Sequence, residues 1–420
     1  MAVDREALAR VLRDARQNAG MSQHAAANRI GLSRTVLAQI ELGNRPVSQD
    51  ELSKLATAYR RSVSDFLPTA EVDEGDVVAR VFNVKPSLPA RLRPALEEVV
   101  NLCREAAALE RVLGRPTRMG PPQYGVARPR NTADAIVQGE QVADQERQRL
   151  GLGPGSPIAN ISDLVVPQGV RVAVAKLPEE VLGIFIRHRS IGSLIIARRD
   201  EIGSGGGDVW SLRFGLLHGY AFALFETDQP VLVTTLDSSD ELSEIRANAF
   251  AAAFLLPRSG LESSIASLDK GRPSRRALAV FGIAAEEAAE VVVRSAPRSQ
   301  TLTCHDVAII AGRFGASYEA TVHRLRSLDL ISKPETAELL RDEAHRAAAA
   351  TTRILLANGN RRHPSAFDEM MPLRSEVALL GIEAYRRDLL AKGDLTALAT
   401  KLKLPALTPA RLLELAEASR

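Results

Sequence analysis

The chain has 420 residues, 45% of them hydrophobic and 25% charged, with a formal net charge of +3. These values fit an ordinary globular protein of several domains, at about 100–200 residues each, and exclude a partner chosen by net charge alone. Two cysteines far apart in sequence, Cys103 and Cys304, make no disulfide framework and no Cys-based zinc site, and no uncharged apolar run reaches the roughly 18 residues of a membrane span.

The N-terminus (Met1-Ala-Val-Asp-Arg) carries no charged-then-apolar leader, so a reducing cytoplasm is the expected compartment. Residues 5–67 read as five short helices. Apolar positions recur at helical spacing: Leu8, Val11, Leu12 and Ala15; Ala25, Ala26 and Ile30; Val36, Leu37 and Ile40; Leu52, Leu55, Ala56 and Tyr59. Ser22, Ser33, Ser48 and Ser64 each precede a helical stretch and suit an N-cap. Gly31 and Gly43 stand where left-handed turns are needed. Pro68 closes the unit, and an acidic, poorly periodic stretch with Glu71, Asp73, Glu74 and Asp76 follows.

A helix is expected from about Pro89 to Leu113, either a dimerisation element or a helix packed inside the domain. Residues 114–130 are dense in Pro, Gly and Arg and read as a linker. Its Arg115, Arg118, Arg128 and Arg130, with Arg111, are either solvated or in contact with a DNA backbone. Beyond it come a helix near Ala133–Leu150 and strands at Arg171–Lys176, Gly183–Arg187 and Gly192–Arg198. Next are a Gly-rich loop (Gly203–Gly207), an apolar helix from Val209 to Phe225, and a helix from about Glu241 to Leu256 stopped by Pro257. The loop lacks the Lys-Ser/Thr ending of a phosphate-binding loop. Residues 306–332 look like a second helix-turn-helix-shaped pair, and 333–420 are helical, punctuated by Pro364, Pro372 and Pro405.

The segment SQHAAANRIGLSRTVLAQIELGNRPVS resembles the XRE, or Cro-type, helix-turn-helix family over residues 5–67. The third helix has an apolar inner side (Val36, Leu37, Ile40) and a mostly polar outer side, and the major groove admits such a helix. The resemblance implies that Arg34, Thr35 and Gln39 meet base edges. It likewise places Gln23, Ser33, Asn44 and Arg45 on phosphates, and implies that Arg16 and Glu41 form a brace between the first and third helices.

WSLRFGLLHGYAFALFE followed by SEIRANAFAAAFLLP is similar to the ImmA/IrrE family of metallopeptidase-like domains, over roughly residues 131–332. Glu244, Ala247, Asn248, Phe250, Ala251, Ala252 and Pro257 match its second half. Its catalytic H-E-x-x-H does not recur: the chain reads His218-Gly219-Tyr220-Ala221-Phe222. His218 matches the first zinc ligand and Glu244 the third, whereas Gly219 replaces the general base and Phe222 the second ligand. One imidazole and one carboxylate fall short of the three protein ligands of a catalytic zinc. The expected domain is therefore a catalytically inactive relative, without metal or cofactor, and His218 a hydrogen-bonded buried residue.

The expected fold is multidomain and mainly α: a five-helix DNA-binding domain (1–68), a connecting or dimerisation helix with linker (69–130), an α+β zincin-like domain with a small sheet (131–332) and a helical C-terminal region (333–420). The expected function is a dimeric regulator that binds a double-stranded DNA operator, with a partner such as a cognate toxin and no membrane. The alternative is a metal-dependent protease that cleaves a repressor.

Overall fold

The computed structural model describes residues 5–61, 63, 66, 77–115, 118, 120–198, 207–226, 229–235, 241–271, 275–281, 288–294, 299–357, 372–402, 404 and 408–418. At the N-terminus four helices, α1 (Arg5–Asn18), α2 (Gln23–Ile30), α3 (Arg34–Glu41) and α4 (Gln49–Ala58), surround a core built on Leu12, Ala15, Leu37, Ile40, Leu55 and Tyr59. The helices start where serine side chains satisfy free backbone donors: Ser22 Oγ accepts from Ala25 N and Ser33 Oγ from Val36 N. Ser48 forms a reciprocal capping box with Glu51. Gly31 takes φ 75°, which turns the chain between α2 and α3 without a Cβ penalty. One core assignment shifts: α2 buries Ala26 and Ala27, while Ala25 lies exposed in the first turn beside the cap. Of the expected fifth helix, Ser64 and Pro68 lie outside the described residues, as do the acidic positions 71–76.

A four-stranded sheet organises the larger part of the chain. Its strands, β1 (Val170–Ala175), β2 (Val181–His188), β3 (Gly192–Arg198) and β4 (Val231–Thr235), run in the order β1-β3-β2-β4. The β1–β3 pair is parallel; β2 is antiparallel to both β3 and β4. Side chains alternate across the sheet. Ile195 and Ala197 of β3 join one core, Leu194 and Ile196 the other. Both faces are thus covered, which explains why β3 reads as an unbroken apolar run.

On the first face pack α7 (Thr132–Arg149), α8 (Ile161–Val165), α9 (Gly207–Phe225), α10 (Leu242–Leu255) and α11 (Arg258–Ser267). A two-stranded antiparallel ribbon, β5 (Arg275–Phe281) with β6 (Ala288–Arg294), follows α11 in the chain. The same core continues into α12 (Cys304–Phe314), α13 (Tyr318–Ser327) and α14 (Lys333–Leu339), with α15 (Asp342–Ala357) against α12. The opposite face carries α5 (Val77–Val84), α6 (Arg93–Val112), α16 (Pro372–Arg386), α17 (Lys392–Leu402) and α18 (Pro409–Glu417). A short 3₁₀ turn, Ala90–Leu92, leads into α6. Segments nearly 300 residues apart in sequence therefore share one core. Among the described residues no helix is long and apolar enough to cross a membrane.

Of the two readings left open for α6, the structure shows packing inside the domain: its apolar stripe, with Leu96, Val99, Val100 and Cys103, is covered by the chain's own C-terminal helices and sheet. One expectation is corrected, since the Pro-rich segment is not a loose linker. Gly120, Pro121, Pro122 and Gln123 are buried, and Arg118 pairs with both Glu110 and Glu376. Arg171 of β1 completes that group, donating to Glu110 at 2.5 Å and Glu376 at 2.8 Å. Arg115 meets Glu383 and Arg130 meets Asp134 at the surface, where both arginines stay exposed, so of these arginines Arg118 is the one committed to buried carboxylates. Proline density rules out regular structure but not packing.

Candidate nucleic-acid interface and central cavity

The third helix of the N-terminal unit divides as its sequence requires. Leu37 and Ile40 are buried, while Ser33, Arg34, Thr35 and Gln39 are exposed. What holds this helix is a buried ion pair. Arg16 of α1 meets Glu41 through two bonds, Nε to Oε1 at 2.6 Å and Nη2 to Oε2 at 2.9 Å. Arg16 Nη1 also donates to the Met21 carbonyl, and Arg13 donates to the Glu41 carbonyl at 2.7 Å. The bond to Glu41 raises the pKa of Arg16 further. Beside the pair, burial pushes the Tyr59 hydroxyl well above its usual range.

The four residues assigned to phosphates differ in their freedom. Asn44, exposed, donates to Gln39 Oε1 at 3.0 Å and so orients the amide of a base-reading candidate. Ser33 Oγ caps α3 and keeps its hydroxyl proton for an outside acceptor. Gln23 instead donates to Glu41 Oε2 at 2.9 Å, and Arg45 to Glu51 at 2.8 Å. Both belong to the bracing of the domain in this state.

The unit is tied to the rest of the chain behind the reading helix. Arg61 Nη2 donates to the Gly120 carbonyl, Gln123 N donates to the Arg60 carbonyl at 3.1 Å, and the Arg60 guanidinium lies 4.9 Å from the Tyr124 ring centroid. Tyr124 in turn donates to Glu146 at 2.7 Å; Tyr220 of α9 donates to the other oxygen of the same carboxylate, and Arg149 bonds both. A cleft of about 550 Å³ runs along this junction, lined by residues including Met21, Arg29, Arg60 and Arg149; Arg34, Thr35 and Gln39 stand away from it.

Two residues before Tyr220 on α9 lies His218. It shares a cavity of about 470 Å³ with Glu244 of α10, between these helices, the ends of β2, β3 and β4, and the start of α13. His218 Nε2 is 2.9 Å from Glu244 Oε2, yet the imidazole is not aligned for a hydrogen bond. The expected hydrogen-bonded histidine is corrected accordingly: it is buried and close to a carboxylate, but among the described residues its Nε2 makes no aligned hydrogen bond. Phe222 packs edge-on to His218, with ring centroids 4.9 Å apart, and against Phe185 of β2. Gly219 faces the sheet so closely that a Cβ there would stand 2.6 Å from Ile195 Cγ2. A carboxylate could not be added at 219 without displacing the buried Ile195 side chain of β3. The residues present do not fit a catalytic zinc, and among the described residues no cluster of three His, Cys, Asp or Glu side chains is placed to hold a metal ion. Gly203 to Gly206 lie outside the described residues.

Sequence reading missed the buried arginines that position these walls. Arg213 of α9, fully buried, donates to the carbonyls of Ile158, Ala159 and Gly315, pinning α9 to the turn before α13. Arg246 of α10 pairs with Glu226 and stacks 4.5 Å from the Phe225 centroid. The signal was present: a single arginine inside an otherwise apolar helix is kept only where acceptors await it.

A helix-turn-helix family model matches residues 12–66. No curated protein matches the chain. The N-terminal unit is a DNA-binding helix-turn-helix domain of the XRE type, and the protein is a DNA-binding regulator.

Proposed function

We propose that this chain is a transcriptional repressor acting in the cytoplasm, with a central domain that has kept a peptidase-like pocket but not its chemistry. The observation that carries the reading is α3: an exposed Arg34, Thr35 and Gln39 on a helix whose inner face is buried and whose end is clamped by Arg16 and Glu41. Arginine can bond guanine in bidentate fashion and glutamine adenine, so α3 presents the chemistry of base reading. Dimeric binding to a palindromic operator suits such domains. Because the apolar face of α6 is covered, the dimer contact lies elsewhere on the chain.

The central domain serves as the input, for a ligand or a protein partner such as a toxin, in the manner of an autorepressing antitoxin. The supporting observation is a path from the cavity-lining helix α9 that runs by hydrogen bonds through Tyr220, Glu146 and Tyr124, and by the stacking of the Arg60 guanidinium on the Tyr124 ring, to the reading unit. The competing reading, a zinc protease that cleaves a repressor, draws on the approach of His218 to Glu244 and is opposed by Gly219 and Phe222.

Fluorescence anisotropy with the DNA upstream of the coding sequence tests the repressor reading. Sequence-selective binding that weakens as salt rises is expected, and binding without selectivity would sink it. Elemental analysis of the purified protein tests the competing reading, which requires stoichiometric zinc and cleavage of a repressor substrate.

A further inference from the structure

We propose that the central cavity binds a primary amine carried on a small apolar body, with the ammonium seated between Glu244 and His218. The volume of about 470 Å³ lies in the range of small-molecule sites. Most of the wall is apolar, with Phe214, Leu255, Leu256 and Ala316 among its residues. Two titratable side chains interrupt it while being almost wholly buried: His218 is 7% exposed and Glu244 4%. An ionised carboxylate only accepts hydrogen bonds, and in an apolar wall it needs donors or an opposite charge. The nearby imidazole does not supply an aligned bond, since His218 Nε2 has no hydrogen-bond partner despite its 2.9 Å approach.

An ammonium group answers both deficits at once. Its three donors serve Glu244 and the unpartnered His218 Nε2, and its charge opposes the carboxylate. The ring of Phe214, which lines the cavity and stacks on His218 with centroids 6.5 Å apart, favours an organic cation. A carboxylic acid ligand would set a second negative charge against Glu244. Arg198 also lines the cavity, but its guanidinium donates to the Glu179 carbonyl.

The inference rests on the reading of the central domain as a receptor. Binding is measured without DNA, so its failure leaves the DNA-reading assignment untouched. The full chain is titrated calorimetrically with n-hexylamine and, separately, with n-hexanoate. Saturable one-to-one binding of the amine is expected, weakened at least about tenfold by Glu244→Gln, with no saturable binding of the acid. Ala252→Phe, which narrows the cavity from the half-buried side of α10, gives a second variant that loses the amine while keeping Glu244. Absence of saturable amine binding, unchanged affinity in a folded Glu244→Gln protein, or equal binding of hexanoate overturns the proposal.

Discussion

Two of the buried base–acid pairs among the described residues are solved differently. Arg16 and Glu41 in the reading unit are 8% and 1% exposed; His218 and Glu244 in the central domain are 7% and 4%. Burial does not separate them. Around the first pair both carboxylate oxygens are bonded, to Arg16 and Gln23, and the guanidinium reaches a further carbonyl. The second pair opens onto a cavity, and one of its nitrogens has no bond. A buried ionic pair with all its partners in place is architecture; one that lacks partners and borders empty volume is a place for something else to bind.

The largest expected effect comes from breaking the completed pair. Glu41→Ala leaves the Arg16 guanidinium buried without its counter-charge, which costs about 3–5 kcal/mol. Urea denaturation of the variant should show the reading unit losing most of its stability, with DNA binding lost alongside. A loss below about 1 kcal/mol would mean that the pair is no different from a surface salt bridge and would erase the contrast with His218 and Glu244.

Next in size is a test of the wall behind His218. Gly219→Ala puts a Cβ 2.6 Å from Ile195 Cγ2 on a strand buried on both faces, and overpacking of this kind costs about 1–3 kcal/mol. Thermal unfolding should report the loss, and combination with Ile195→Ala should cost less than the two changes added. Independent additivity would show that α9 can move away from β3, and that Gly219 does not bar a restored base.

Arg34→Ala acts on binding instead of folding, because Arg34 is exposed. A loss of about 1–3 kcal/mol toward the operator, with smaller loss toward a scrambled duplex, is expected from removal of a base contact. Equal loss on both duplexes would move Arg34 from base reading to phosphate contact.

How much of this was legible in sequence follows from the range of the interactions. The reading unit is local: serine caps, Gly31 and an apolar stripe at helical spacing lie within a few residues of what they shape, and the brace spans only the distance from Arg16 to Glu41. The strands β1 to β3 were legible from their Val and Ile content, whereas β4, five residues long and directly after Pro230, was missed. The cluster of Arg171, Glu110, Arg118 and Glu376 was not legible at all, since each charge looks solvated until the sheet brings α6 and α16 to the same face. The segment around Gly120 misled for a related reason. Its φ of 71° and its closeness to Ser193 Oγ, 2.9 Å from a would-be Cβ, are features of a tight fit that composition reads as looseness.

The smallest expected effect concerns a third acid, Glu51, whose partners are complete but which lies near the surface. The Ser48 backbone N–H, and after it the Arg45 guanidinium, hold its carboxyl below the usual carboxylate range. Its folded pKa is therefore lower than its unfolded one, so its stabilising share is fully present above the ordinary carboxylate pKa and is lost as pH falls through the depressed folded value. Ser48→Ala should cost about 1 kcal/mol, as loss of an N-cap does. In Glu51→Gln the acid-side decline in melting temperature of the reading unit should be shallower than in the parent chain. An identical decline would show that α4 draws its stability from Leu52, Leu55 and Ala56 in the core and not from its cap. That result would also matter for Arg45: with Glu51 unimportant to folding, its bond to Arg45 would be free to open, and Arg45 would return to the set of phosphate contacts.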